Sequence, residues 1–149
     1  MNPNQSSDAI LQEITINAPA DRIFEAIINP NERVKWWGTK GRFQATHMES
    51  DLRPGGKWKM SGTGMGDKPF TIVGTYQEID PPRLLVSTWL ADWHEDAPET
   101  IVRFELEEAD GATTVRLTHS GFTTDSQREN YRGWGLLLSL LQGYVTGRS

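Results

Sequence analysis

Between Glu99 and Ser120 the chain alternates. Val102, Phe104 and Leu106 fall on one face against Arg103, Glu105 and Glu107, a tight turn at Asp110 and Gly111 reverses the direction, and Val115, Leu117 and His119 answer against Arg116 and Thr118. A period of two sends successive side chains to opposite faces of a sheet, so the segment predicts a hairpin with one dry and one wet face. The same rule predicts strands at Ile10 to Asn17, at Met48 to Leu52, at Lys57 to Met60, over 70–80 and over 84–90. Arg53 to Gly56 and the pair Pro81 and Pro82 supply turns between them; 38–45, 61–68 and 92–98 read as loops.

The spacing is helical elsewhere. Ile23, Phe24, Ile27 and Ile28 share one face until Asn29 and Pro30 stop the run, and a short second helix carries Val34, Trp36 and Trp37 up to Gly38. In the last quarter Tyr131, Trp134, Leu138, Leu141 and Val145 recur at steps of three and four, widened by Leu137, Leu140 and Tyr144. Asp125 or Ser126 is the expected N-cap and Thr146 the expected end, a span of about twenty residues or ~30 Å. Such a helix is marginal alone in water, so its apolar stripe must lie on the sheet. Gly133, Gly135 and Gly143 each cost about 1 kcal/mol relative to alanine in a helix interior, and either close approach to another backbone or a kink in the helix is the expected reason for them. A helix held by a curved sheet encloses an interior.

Composition narrows the class. One domain over 10–149, after a flexible tail at 1–9, accounts for the 149 residues. A net charge of -5 repels phosphate backbones, so nucleic acid is not an expected partner. The chain contains no cysteine, which removes disulfides, thiolate metal sites and thiol nucleophiles and agrees with a cytoplasmic location. Met1 to Ser7 resembles no signal peptide, and no apolar run is long enough for stable membrane insertion. Arg33, Lys35, Lys40 and Arg42 form the nearest approach to a basic cluster and read as solvated side chains.

Local motifs run in a recognisable order. Ala18, Pro19 and Ala20 lead to Ile23 and Phe24; Trp36 and Trp37 precede a glycine; Arg53, Pro54, Gly55, Gly56 and Trp58 follow. Gly74, Glu78, Ile79, Pro81, Pro82, Arg83, Leu84 and Trp89 come next, then Thr118 to Phe122, Gly133 and Trp134. Together these resemble the START-like (SRPBCC) superfamily, in the branch named after the C-terminal domain of the activator of the ninety-kilodalton heat-shock protein ATPase. The resemblance implies an α+β helix-grip fold (START-like, Bet v 1-like). In it a seven-stranded antiparallel sheet wraps a long C-terminal helix, with two short helices after the first strand. It also implies a cavity for an apolar ligand, but no one activity, since members include lipid carriers, polyketide cyclases, receptors and chaperone regulators.

Inward parity selects the candidate ligand-binding residues. From the strands these are Trp58, Met60, Tyr76, Leu85, Ser87, Trp89, Phe104, Leu117 and His119; from the helix, Trp134, Leu138 and Leu141. Ser87 and Gly74 are small where bulk is expected, which predicts room beside them. His119 faces an apolar space, where burial favours its neutral form and leaves it able to orient a ligand head group or bond to the protein. His94 among Asp92, Glu95 and Asp96 lacks a second histidine at ligand spacing, so no metal is expected. Ser120 beside His119 points to the opposite face and forms no nucleophile and base pair. Asp67 reads as a turn residue, and Gly62, Gly64 and Gly66 do not precede a helix as phosphate-binding glycines do. Neither a catalytic group nor a cofactor is predicted.

The leading expectation is a carrier, sensor or sequestering protein for a small hydrophobic or aromatic, lipid-like or polyketide-like molecule, working as monomer or homodimer. A chaperone ATPase regulator active in the stress response is the alternative, and a cyclase- or hydrolase-like enzyme using His119 and Tyr76 is the second.

Overall fold

In the computed structural model, residues 9–39, 43–92, 99–122 and 133–147 are described. Strand β1 (Ala9–Ile16) leads into helix α1 (Ala20–Ile28), helix α2 (Pro30–Trp36) and a two-residue strand β2 (Gly38–Thr39). Six strands follow: β3 (Phe43–Ser50), β4 (Lys57–Thr63), β5 (Pro69–Asp80), β6 (Leu84–Ala91), β7 (Thr100–Ala109) and β8 (Ala112–Ser120). Helix α3 (Trp134–Thr146) comes last. The strand order is β1-β8-β7-β6-β5-β4-β3-β2, antiparallel throughout. Seven long strands therefore form a curled sheet of the helix-grip type, with β2 as a short addition at one edge.

Because β1 and β2 lie at opposite edges, α1 and α2 carry the chain across the face of the sheet. The sequence suits this task. Ala20, Ile23, Phe24, Ala26 and Ile27 of α1 are buried, so the helix is held by its apolar face. Pro30 cannot donate a backbone hydrogen bond and disfavours helical geometry at Asn29, where α1 ends. Asn29 then caps α2, its side chain accepting the Asn31 N–H at 2.9 Å, with Pro30 in the first turn where a missing N–H costs nothing.

One buried cluster joins these elements. Met60, Ile72, Val115 and Leu117 from the sheet meet Ile23 and Ile27 of α1 and Trp134, Leu138 and Leu141 of α3. Fully burying a large apolar side chain stabilises by roughly 1.5–3 kcal/mol, so this layer holds the helices to the sheet. Tyr144 and Val145 are only partly buried, while Leu137 is buried, so the apolar stripe of α3 narrows toward its end.

Several expectations need correction. The segment 38–45 is no simple loop, since it contains β2 and the start of β3. Ser61 to Thr63 extends β4, and its glycine has a purpose: a Cβ on Gly62 would lie 2.0 Å from the Gln44 carbonyl oxygen across the strand pair. Gly133 opens on space and Gly135 meets only the Gln12 side chain at 3.6 Å, so neither brings α3 against another backbone. The expected tail is one residue too long, since Ala9 already belongs to β1; residues 1–8, the caps at Asp125 or Ser126, Tyr131 and residues 93–98 with His94 lie outside the described residues.

Candidate functional site

The sheet and two of the helices converge on a group of indoles. Trp36 and Trp37 come from the end of α2, Trp58 from β4, Trp89 from β6 and Trp134 from α3. Their ring centroids lie 5.5 Å apart for Trp36 and Trp37, 5.4 Å for Trp37 and Trp134, 5.3 Å for Trp89 and Trp134, and 5.4 Å for Trp58 and Trp89. The rings are tilted or edge-on, the arrangement their quadrupoles favour. Phe104 joins at 6.3 Å from Trp134. All the candidate residues chosen by parity are buried, and they do come together in this interior.

The polar members behave differently. His119 is fully buried, and Trp134 donates its indole N–H to Nδ1 at 3.1 Å. That bond leaves the proton on Nε2, which donates to the Thr100 hydroxyl at 2.6 Å, and Thr100 in turn donates to the Trp89 carbonyl at 3.2 Å. Burial pushes the imidazole pKa down to about 3, so the ring is neutral at physiological pH. Both nitrogens thus have protein partners, and a ligand would have to displace one of them. Tyr76 shares a 2.7 Å hydrogen bond with Ser50, and burial raises its phenol pKa against the opposing effects of that bond and of the Arg33 charge. Ser87 faces Tyr76 across the β5 and β6 pair. The room expected beside Gly74 is taken, because a Cβ there would lie 2.5 Å from the Trp58 indole nitrogen and 2.1 Å from the Thr88 carbonyl oxygen.

The residue that sequence reasoning misplaced is Arg33. It was expected to be solvated but is buried, only 4% exposed, on α2. Its guanidinium carbon sits 4.5 Å from the Trp37 ring centroid, 5.5 Å from that of Trp36 and 5.9 Å from that of Phe104. Its Nη1 donates to the Ile27 carbonyl at 2.9 Å, at the C-terminal end of α1 where the helix dipole favours a cation. Its Nε has no partner, and no carboxylate pairs with it among the described residues. Desolvation lowers its pKa to about 10, with the neighbouring Tyr76 opposing the fall. Helical spacing was the available signal: Arg33 shares a face with Trp36 and Trp37, three and four residues on.

A groove of about 440 Å³ opens on β4 and β5, where Lys57, Lys59, Val73, Thr75 and Thr88 line it together with Gly74 and the indole-group member Trp58. Among the described residues no cluster of three metal-ligating side chains occurs, and no helix is long and apolar enough to cross a membrane.

A curled antiparallel sheet holding a C-terminal helix over an aromatic interior defines a helix-grip protein of the START-like (SRPBCC) superfamily. Within it the chain belongs to the Activator of Hsp90 ATPase homolog 1-like protein family, whose model matches residues 17–146. The fold is similar to that of CV1439 from Chromobacterium violaceum (TM-score 0.82, 24% identity, 93% of this chain and 96% of that one). It is also similar to NE0264 from Nitrosomonas europaea (TM-score 0.82, 16% identity, 99% and 97%). A third likeness is to DynU16, a putative protein in the dynemicin biosynthetic locus (TM-score 0.74, 21% identity, 95% of this chain and 48% of that one). No curated protein matches the sequence.

Proposed function

We propose that the protein binds a small aromatic or otherwise hydrophobic molecule between α3 and the sheet, as a carrier, sensor or sequestering protein. The observation that carries this reading is the Arg33 guanidinium, held inside the fold among Trp36, Trp37 and Phe104 with its Nε unused. A core built for stability alone gains little from a cation without a counter-charge, because its desolvation is costly and an apolar residue of similar size avoids the cost. The indoles supply broad, rigid contact area at little cost in side-chain entropy, as binding sites for flat ligands do. Trp58 adds a second buried donor without an acceptor, its indole Nε1.

The test is native mass spectrometry of the protein as expressed, followed by solvent extraction and a tryptophan fluorescence titration with fatty acids, lipids and aromatic polyketides. A co-purifying small molecule, or saturable quenching by one ligand class, is the expected result. No adduct together with unchanged fluorescence across the whole series would remove the reading.

A further inference from the structure

Arg33 places a positive charge in the interior that no carboxylate among the described residues neutralises. Arg33 has five N–H donors and no acceptor. One of its nitrogens, Nη1, donates to the Ile27 carbonyl, while Nε has no partner among the described residues. Three aromatic faces and the end of α1 offer only partial negative charge in return. A full counter-charge is missing among the described residues. The polar group in Coulombic reach is Tyr76, a neutral phenol bonded to Ser50, which can donate but brings no negative charge at neutral pH.

We infer that Arg33 is the recognition point for a flat aromatic carboxylate, whose oxygens take the unused guanidinium donors while its ring lies against the surrounding indoles. This rests on the ligand-binding reading above and names the class of ligand. Charge count decides between anions: one guanidinium balances one carboxylate, whereas a phosphate dianion would keep an unpaired charge in the interior. Geometry agrees, since the guanidinium fork matches the two oxygens of a carboxylate. The wall chemistry decides the rest of the ligand. Trp36, Trp37 and Phe104 present ring faces and edges, which suit an aromatic body better than a flexible alkyl chain.

The experiment compares 2-naphthoate with its neutral counterpart 2-naphthylmethanol by isothermal titration calorimetry, using the full chain and the variant Arg33→Gln. Naphthoate is expected to bind about tenfold or more tightly than the alcohol, and Arg33→Gln to abolish that preference. The exposed Lys68→Gln serves as the control for overall charge and is expected to keep it. Equal affinities in the unmutated protein overturn the carboxylate inference but leave the ligand-binding reading intact. If neither probe binds, the inference falls, and the co-purification experiment alone decides the broader reading. Should Arg33→Gln fail to fold, the Arg33 Nε–H resonance in ¹⁵N NMR replaces it. A shift with naphthoate and none with the alcohol supports the inference, and an unmoved resonance refutes it.

Discussion

The indole N–H of Trp134 on α3 ends on Nδ1 of His119 on β8, at 3.1 Å and out of reach of solvent. The pairing ties the C-terminal helix to the sheet and works only while the imidazole is neutral. Its pKa falls from 6.5 to about 3 on folding, so in the acid range the unfolded chain takes up a proton that the folded chain refuses. Stability from this residue is therefore complete above the unfolded value of 6.5 and declines as pH drops toward 3. The slope approaches roughly 1.4 kcal/mol per pH unit. Urea unfolding from about pH 7.5 to about pH 4.5 should show this loss in the unmutated protein and a flatter profile in His119→Gln. Taking the difference between the two profiles cancels the other titrating groups. Parallel profiles would show that the buried ring is protonated after all.

Gly74 and Trp58 occupy one directly paired position of β4 and β5, and the indole uses the space a side chain would need. Gly74→Ala is expected to destabilise by about 1–3 kcal/mol, because the nearest obstacle is the Thr88 backbone oxygen and cannot swing aside. Gly133→Ala, at a position open to space, should stay within about 0.5 kcal/mol. Denaturation midpoints of the two variants check both statements, and a tolerated Gly74→Ala would mean that the strands separate easily at this point.

Much of the architecture was legible because most strands bury one face only. β4, β5, β7 and β8 alternate in burial as their residues alternate in type, so Trp58, Phe104, Leu117 and His119 were placed inward correctly from parity. The sequence pattern reveals only part of β3, for a physical reason. Its register shifts between Ala45 and His47, so the buried Ala45 and Met48 stand three residues apart and break the period of two. Gly62 suggested a loop because glycine marks both loops and close backbone contacts. The burial of Arg33 is hard to see in the sequence because charge predicts exposure on average, and only its helical spacing from Trp36 and Trp37 argues otherwise. Whether Gly74 makes room or is filled depends on the rotamer of a residue on another strand, which no local pattern records.

Outside the core, Glu32 gathers the three helices. Its Oε1 accepts from Arg22 of α1 at 2.8 Å and from Tyr144 of α3 at 2.9 Å, while Glu32 itself lies on α2. Burial raises the Glu32 pKa, but the bonds from Arg22 and Tyr144 outweigh it and the net shift is downward from 4.5. A lowered carboxyl pKa gives stability that is present above the unfolded value and fades as pH falls through the folded one. Tyr144→Phe deletes one of these bonds and is expected to cost about 0.5–1.5 kcal/mol at neutral pH. The cost should shrink below about pH 4, where Glu32 is protonated in the unfolded chain. Thermal melts of Tyr144→Phe at the two pH values give the comparison; equal losses at both would show that the carboxylate is not the acceptor that matters.

Arg33 also allows stability and ligand recognition to be separated. Its fall from 12.5 to about 10 means that burial costs the charged form roughly 3 kcal/mol at neutral pH, relative to the unfolded chain. Arg33→Met removes that cost and keeps most of the packing volume, but forfeits the bond to Ile27, about 1.5–3 kcal/mol for a charged donor. The contacts over Trp36, Trp37 and Phe104, about 0.5–2 kcal/mol, are lost as well, so the ligand-free variant should stay within about 2 kcal/mol of the unmutated protein. Arg33→Ala additionally leaves a void among Trp36, Trp37 and Phe104 and is expected to lose about 2–4 kcal/mol. Urea titrations of the ligand-free proteins measure both. A large loss in Arg33→Met would show that the guanidinium is held for the fold, because only a structural cation would make an apolar replacement costly in the absence of any ligand.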